Sequence, residues 1–403
     1  MASLHAPSPS TRPPSRTINL IVVGDVHNHW DDLLDRAALH HLAPSAVIFV
    51  GDLGNQDVPL VRQIASLGSS FNLVTILGNH DAWYCLTDRG RKRAIKNALQ
   101  SSNLAMFSGS SLGDASTYTS NQIREMLEVL GDAHVGYARR TFDSLDCVFV
   151  GARPFSKGGV QWSAVKAFYE TYYHVGSMEE SAERVLDVIL AEDGSEDPEN
   201  GHSGHAQISP NAPLVVVAHN GPSGLGSSKY SPCGVDFMEP EDDFGDPDLE
   251  EALETAWMSC GKKAALVTFG HMHARLKHGG SRNMVGVDGR TGTVYLNAAV
   301  VPRVERVSES SGGGTRRHFV RVGLVDGVVV RAENVWVRVG ERGHGSADAG
   351  IGMSMDADVE IEVEEVECIL EKVATSGRDR DRYRVYQAYT GEWIEVDVDG
   401  DGG

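Results

Sequence analysis

Apolar residues along the chain fall into short runs, and each of the longest is broken by a polar cluster. Residues 18–23 are almost all aliphatic, and the lack of alternation predicts a strand covered on both faces. Gly24-Asp25-Val26-His27-Asn28-His29 breaks that run. Residues 30–41 then place Leu33, Leu34, Ala37 and Ala38 at helical spacing, with Asp31, Asp32 and Asp35 near the start, where the helix dipole favours anions. Residues 46–50 predict a second strand, ended by Gly51-Asp52-Leu53-Gly54-Asn55, and residues 58–67 a second helix. The third apolar run, 71–77, is closed by Gly78-Asn79-His80-Asp81. The order βαβαβ predicts parallel pairing and an α/β fold.

Further on, residues 88–100 predict a helix carrying Arg89, Arg91, Lys92, Arg93 and Lys96, and the Ser- and Gly-rich stretch 101–120 a long loop. A short helix is expected over 121–130, and a hairpin from 133–141 and 145–150 turning at Asp143-Ser144. Helices are expected over 162–172, 178–191 and 248–259, and a polar surface insertion over 192–211. Residues 214–218 predict a strand ending in His219-Asn220-Gly221-Pro222, and 264–269 one ending in Gly270-His271-Met272-His273. Short strands are expected at 293–296, 318–325 and 328–339, with a turn region at 308–314 and one terminal strand at 383–396. The acidic stretch 353–371 leaves helix and strand open. The chain thus divides into a tail or transit remnant at 1–16, a domain at 17–339, and a Gly-rich and acidic extension at 340–403.

The charge narrows the function classes. With 56 acidic against 36 basic residues and a net charge of −20, the chain is unsuited to coating nucleic acid or an anionic membrane. Its five cysteines are scattered without a CxxC pair, which argues against a disulfide framework and a zinc ribbon and fits a reducing compartment. No apolar run approaches the roughly 20 residues of a membrane span, and no apolar leader opens the sequence. A soluble intracellular protein is expected, cytoplasmic or, given the Ser, Pro and Arg of residues 1–16, plastid.

The candidate chemistry lies where the strands end. Asp25 and His27, Asp52, Asn79 and His80, His219, and His271 with His273 each follow an apolar strand. In open α/β sheets, ligands sit beyond the carboxyl ends of strands, so one rim would gather all of them. Any one of these histidines alone is more often a satisfied polar residue than a ligand; five such strand ends in order are not. Without His80 the set is four imidazoles, one amide and two carboxylates, which suits zinc, manganese or iron. Seven candidate ligands exceed one tetrahedral centre and fit two metals with a bridging carboxylate. A water bridging them loses a proton easily and becomes the nucleophile of an in-line displacement. A histidine outside the metal shell then serves as proton donor to the leaving oxygen.

In their order and spacing, Asp25-Val26-His27, Gly51-Asp52, Gly78-Asn79-His80-Asp81, His219 and Gly270-His271-Met272-His273 resemble the motifs of the calcineurin-like metallophosphoesterase superfamily. The loops at 151–156 and 219–226 are similar to a little-characterised branch of it found in cyanobacteria and plants. The resemblance implies a four-layer αββα sandwich of two mixed sheets around a dinuclear centre. It implies Asp25, His27 and His273 on one metal, Asn79, His219 and His271 on the other, and Asp52 bridging. It also implies His80 as proton donor, oriented by Asp81, and iron, manganese or zinc as the metals. One departure is Asn55, where such motifs often carry a charged residue. Arg153, after a strand, is a candidate for binding the substrate phosphate and reads equally as a surface salt bridge; the basic helix at 88–100 reads first as a solvated helix face and second as a surface that steers anions. The expected reaction is hydrolysis of a phosphoester, with a small molecule or nucleotide as the expected substrate and the oligomeric state open. A nuclease and a catalytically silent metal-binding scaffold are the alternatives.

Overall fold

The computed structural model describes residues 15–100, 113–191, 208–209, 212–308, 313–341, 359–373 and 381–399. Most of the expected tail at 1–16, most of the insertion at 192–211, most of the turn region at 308–314, and residues 342–358 lie outside them.

The chain opens as β1 (Thr17–Val23), α1 (Asp32–Leu42), β2 (Ala46–Phe49), α2 (Val58–Ser66) and β3 (Leu73–Thr75). The three strands pair in parallel, Leu20 beside Ala46 and Val47 beside Leu73. Asp31 caps α1 by accepting the Leu34 N–H, and Asp57 caps α2 by accepting that of Leu60, with Pro59 in its first turn. Then come α3 (Asp88–Gln100), α4 (Gly113–Leu130), β4 (Arg139–Phe142), β5 (Leu145–Gly151), α5 (Trp162–Tyr172), α6 (Met178–Leu190) and β6 (Leu214–Val217). The helix expected at 121–130 begins at Gly113, so part of the expected loop is helical; residues 101–112 lie outside the described residues.

The chain continues through α7 (Pro247–Cys260), β7 (Leu266–Phe269), β8 (Val285–Val287), β9 (Val294–Asn297), β10 (Val304–Arg306), β11 (Thr315–Val325) and β12 (Val328–Glu341). It closes with β13 (Val359–Val373), β14 (Arg382–Gln387) and β15 (Glu392–Asp397). Among the described residues, one sheet runs β15-β14-β13-β12-β11-β1-β2-β3, with β10 on β11, and a second runs β4-β5-β6-β7-β9-β8. The terminal strand expected at 383–396 is a hairpin, β14 with β15, and β13 joins it to β12.

The aliphatic runs explain the layering. In β1, Leu20 and Val22 enter the core between the sheets, where they meet Ile48, Val217 and Leu296. Ile21 and Val23 face the other way, into a core shared with Leu39 of α1 and Val61 of α2. In β5, Cys147 and Phe149 point inward, while Val148 and Val150 join the core that holds Val185 of α6 and Leu249 of α7. Helices, sheet, sheet and helices therefore stack as a four-layer αββα sandwich. Among the described residues no helix is long and apolar enough to cross a membrane.

Candidate metal centre

The carboxyl ends of β1, β2 and β3 in one sheet meet those of β6 and β7 in the other. There the backbone leaves the strands in sharp turns. His27, Asn28, Asp52 and His271 all adopt left-handed conformations, with φ of 46°, 64°, 48° and 66°. Each costs about 1–3 kcal/mol and persists because its surroundings impose it. The Val26 and His27 N–H groups both donate to the Asp52 carbonyl, at 3.0 and 2.8 Å, tying the first turn to the second. Two motif glycines permit the close approach. A Cβ on Gly78 would lie 2.4 Å from an Asp52 carboxylate oxygen, and one on Gly270 would lie 2.2 Å from Asp25 Oδ1.

Seven predicted residues converge on this rim. Asp25, His27 and His273 present ligand atoms within 4.8 Å of one another, and so do Asp52, His219 and His271. His27 Nε2 lies 3.1 Å from His273 Nε2, and His273 Nε2 lies 3.3 Å from Asp25 Oδ2. On the other side, His219 Nε2 lies 3.0 Å from Asn79 Oδ1 and 3.3 Å from Asp52 Oδ1. Ligands at about 2.1 Å from one tetrahedral ion stand about 3.4 Å apart, close to these edges, which fit a cation at each cluster. His219 Nδ1 donates to the Val50 carbonyl at 2.8 Å, which leaves Nε2 with its lone pair toward the cluster.

The electrostatics agree with that fit. Burial, then the charges of Asp25 and Asp81, push Asp52 well above the usual carboxylate range. Burial also acts to raise Asp25, but the hydrogen bond from His273 and the surrounding imidazoles outweigh it and hold that carboxyl low. Burial, followed by His219, drives His271 far below an ordinary histidine, so its ring is neutral and can act as a ligand. Two buried carboxylates and four imidazoles with few donors among them make a site that positive charge relieves.

Two expectations are corrected. Asp81 does not orient the His80 ring. The single helical turn Asn79–Ala82 folds its carboxylate back onto the backbone, where it accepts the N–H groups of Gly54 at 3.0 Å and Gly78 at 2.8 Å. The contact on His80 Nδ1 comes from Asn55 Oδ1 at 2.7 Å, so the residue that departs from the motif is the one that holds the ring. The His80 N–H donates to Asp52 Oδ1 at 2.8 Å, and its ring stacks on Trp83 with centroids 4.4 Å apart. No local signal marked Trp83 beyond its place three residues after His80.

Arg153 is not available to a substrate. It is 1% exposed, with NH2 2.8 Å from Asp246 Oδ1 and Nε 2.8 Å from Asp248 Oδ2. Asp246 stands at the N-cap position of α7 yet makes no cap; it accepts instead from Arg153, Ser156 and Asn220. The guanidinium is an internal brace that fixes the 151–159 loop to α7. The basic helix α3 does border the site, through a cavity lined by Asn79, Trp83, Arg89 and Arg93.

The calcineurin-like phosphoesterase family model matches residues 18–275. Among solved structures, the chain is similar to a dimetal phosphatase from Danio rerio, at 13% identity over 79% of this chain and 95% of that one, with a TM-score of 0.36. It is also similar to PhoD, at 10% identity over 98% of this chain and 74% of that one, with a TM-score of 0.42. No curated protein matches the sequence. The matched span runs from β1 to just past His273 and takes in every strand end of the rim, so the chain belongs to the calcineurin-like phosphoesterases, a family of metal-dependent phosphoester hydrolases.

Proposed function

We propose that this rim hydrolyses phosphoesters with two cations, one held by Asp25, His27 and His273 and the other by Asn79, His219 and His271. Asp52 is shared between them. One observation carries the reading: the two oxygens of Asp52 face different clusters, Oδ1 at 3.3 Å from His219 Nε2 and Oδ2 at 3.9 Å from His27 Nε2. When bound, the cations acidify a water molecule and draw off charge at phosphorus. Imidazole and carboxylate donors without a thiolate suit iron, manganese or zinc.

The chain's own groups handle the leaving oxygen. His80 sits against His27, ring centroids 4.8 Å apart, and is held by Asn55, Asp52 and Trp83. Burial and the His27 imidazole push its pKa down to about 4, so the free protein keeps the ring neutral. The negative charge of a bound phosphoester favours the protonated ring, which then donates to the departing oxygen. The catalytic unit in this reading is residues 17–339, and residues 340–403 extend it.

Metal-stripped protein tests the whole reading. Adding back manganese, iron or zinc is expected to restore hydrolysis of para-nitrophenyl phosphate or its bis ester, and the preferred ester separates monoesterase from diesterase. Silence with every metal, while metal analysis finds two ions per chain, would overturn it. His80→Ala is expected to keep both ions and to lose about 10²–10⁴-fold in kcat. Loss of one ion together with activity would instead place His80 among the ligands, since His27, Asp52 and His80 also present atoms within 4.8 Å of one another.

A further inference from the structure

Two grooves adjoin the proposed ligands, and their charge is opposite to that of the chain. One, of about 290 Å³, starts at Asn79 and runs along Trp83 past Arg89 and Arg93. The other, of about 500 Å³, starts at His271 and His273 and carries Arg275 and Lys277. Lys157 lines both. Among the described residues the only carboxylate lining either groove is Asp236, which already accepts the Lys277 N–H at 2.7 Å and lies 3.6 Å from the Arg282 guanidinium. A protein with a net charge of −20 thus gathers five cations at the mouth of one site. Solvated helix faces do not require that bias; capture of anions does.

The groove along Trp83 is tied to the proposed proton donor. The Trp83 ring stacks on His80 and carries the Arg93 guanidinium 5.7 Å from its centroid. Whatever leaves past His80 therefore enters a channel lined by Arg89, Arg93 and Lys157. Arg89 and Arg93 are exposed and make no ion pair among the described residues. Lys157 is half-buried on a loop that is already fixed. Ser156 Oγ donates to Asp246 at 2.8 Å, the Gly158 N–H donates to Ser156 Oγ at 3.1 Å, and the Phe155 N–H donates to the Leu77 carbonyl at 2.6 Å. An ammonium presented by a rigid loop loses little freedom when it meets a phosphate.

We propose that the leaving group carries phosphate of its own, so that the substrate is a polyphosphorylated small molecule whose anionic fragment departs through the Arg89–Arg93–Lys157 groove. Water adds hydroxyl to the attacked phosphorus, the P–O bond to the leaving phosphate breaks, and the leaving oxygen takes its proton from His80. The second proton of the water restores His80. This rests on the hydrolase reading above and narrows it: the groove selects by charge, because Trp83 is already engaged by His80 and Arg93.

The test compares tripolyphosphate with para-nitrophenyl phosphate on metal-loaded protein. The unmodified chain is expected to show the higher kcat/KM on tripolyphosphate. The double variant Arg89→Gln/Arg93→Gln is expected to lose about tenfold more on tripolyphosphate than on the simple ester, and Arg89→Lys/Arg93→Lys to recover most of it. Preference for the simple ester, or equal losses on both, would overturn the proposal while leaving the hydrolase reading intact. Calorimetry with imidodiphosphate on metal-loaded His80→Ala protein reads the groove without turnover. Weaker binding by about tenfold after the double Gln change supports the proposal, and unchanged binding overturns it even if no ester is hydrolysed.

Discussion

Asp52→Asn is expected to cut turnover of para-nitrophenyl phosphate by about a thousandfold and to lower the metal content below two ions per chain. The amide keeps the shape of the carboxylate and removes its charge. That charge is the group both clusters share, since one oxygen faces His219 and the other faces His27. The amide also brings an N–H₂ group toward a lone pair that the proposed cation needs. Steady-state assays with metal analysis on the same preparation decide the matter. Two ions per chain and near-normal kcat would mean that Asp52 merely shapes the turn after β2.

The second large effect is on stability. Arg153→Met is expected to lower the free energy of unfolding by about 3–5 kcal/mol, read as a lower urea midpoint. The reason is geometric. Asp246 and Asp248 are 2% and 1% exposed, and the guanidinium between them is their main compensation. Asn220 and Ser156 can still donate to Asp246, and Ser181 to Asp248, but they bring no charge. A raised KM with an unchanged urea midpoint would instead make Arg153 a substrate contact, as its place after a strand suggests.

Much of the fold was legible because the strands are short, aliphatic and covered on both faces. Leu20 and Val22 need the inter-sheet core, Ile21 and Val23 need the helices, and no polar residue interrupts them. The strands that escaped are held by pairing rather than by pattern. β8 and β10 are three residues each, and β10 contains Glu305 and Arg306, so neither offers a hydrophobic run. The start of α4 was hidden by Gly113, Ser116, Thr117 and Thr119, which are weak helix formers. In β13, Ile361 and Val363 alternate with glutamates and are partly buried against the core, a two-residue signal too short to decide between helix and strand for the acidic stretch 353–371.

At the rim, the residues that converge were legible because each directly follows a strand. Their support was not. Proximity in sequence favoured Asp81 as the partner of His80, but a one-turn helix carries its carboxylate away and leaves Asn55 at the ring. The sequence offers Arg153 equally to a phosphate and to a surface salt bridge; the buried pair it makes has partners 93 and 95 positions downstream, where nothing in the local pattern links them to it. The Val50 carbonyl that sets the tautomer of His219 is a backbone atom and has no signature at all.

The order of the first sheet has a consequence for how the protein comes to be made. β1, which delivers Asp25 and His27, is flanked on one side by β2 and on the other by β11, with Thr17 opposite Val325. Closing a loop of that length costs about 2 kcal/mol more than closing one a tenth as long. A nascent chain that has emerged only through the helical turn after β3, Asn79–Ala82, holds Asp25, His27, Asp52 and Asn79, with β1 lacking its second neighbour and none of His219, His271 and His273 yet made. The complete constellation is therefore a late product of synthesis. A ribosome stalled before β7 would present a ligand set without His271 and His273, and a truncated chain of that length is expected to hold metal weakly and turn over nothing.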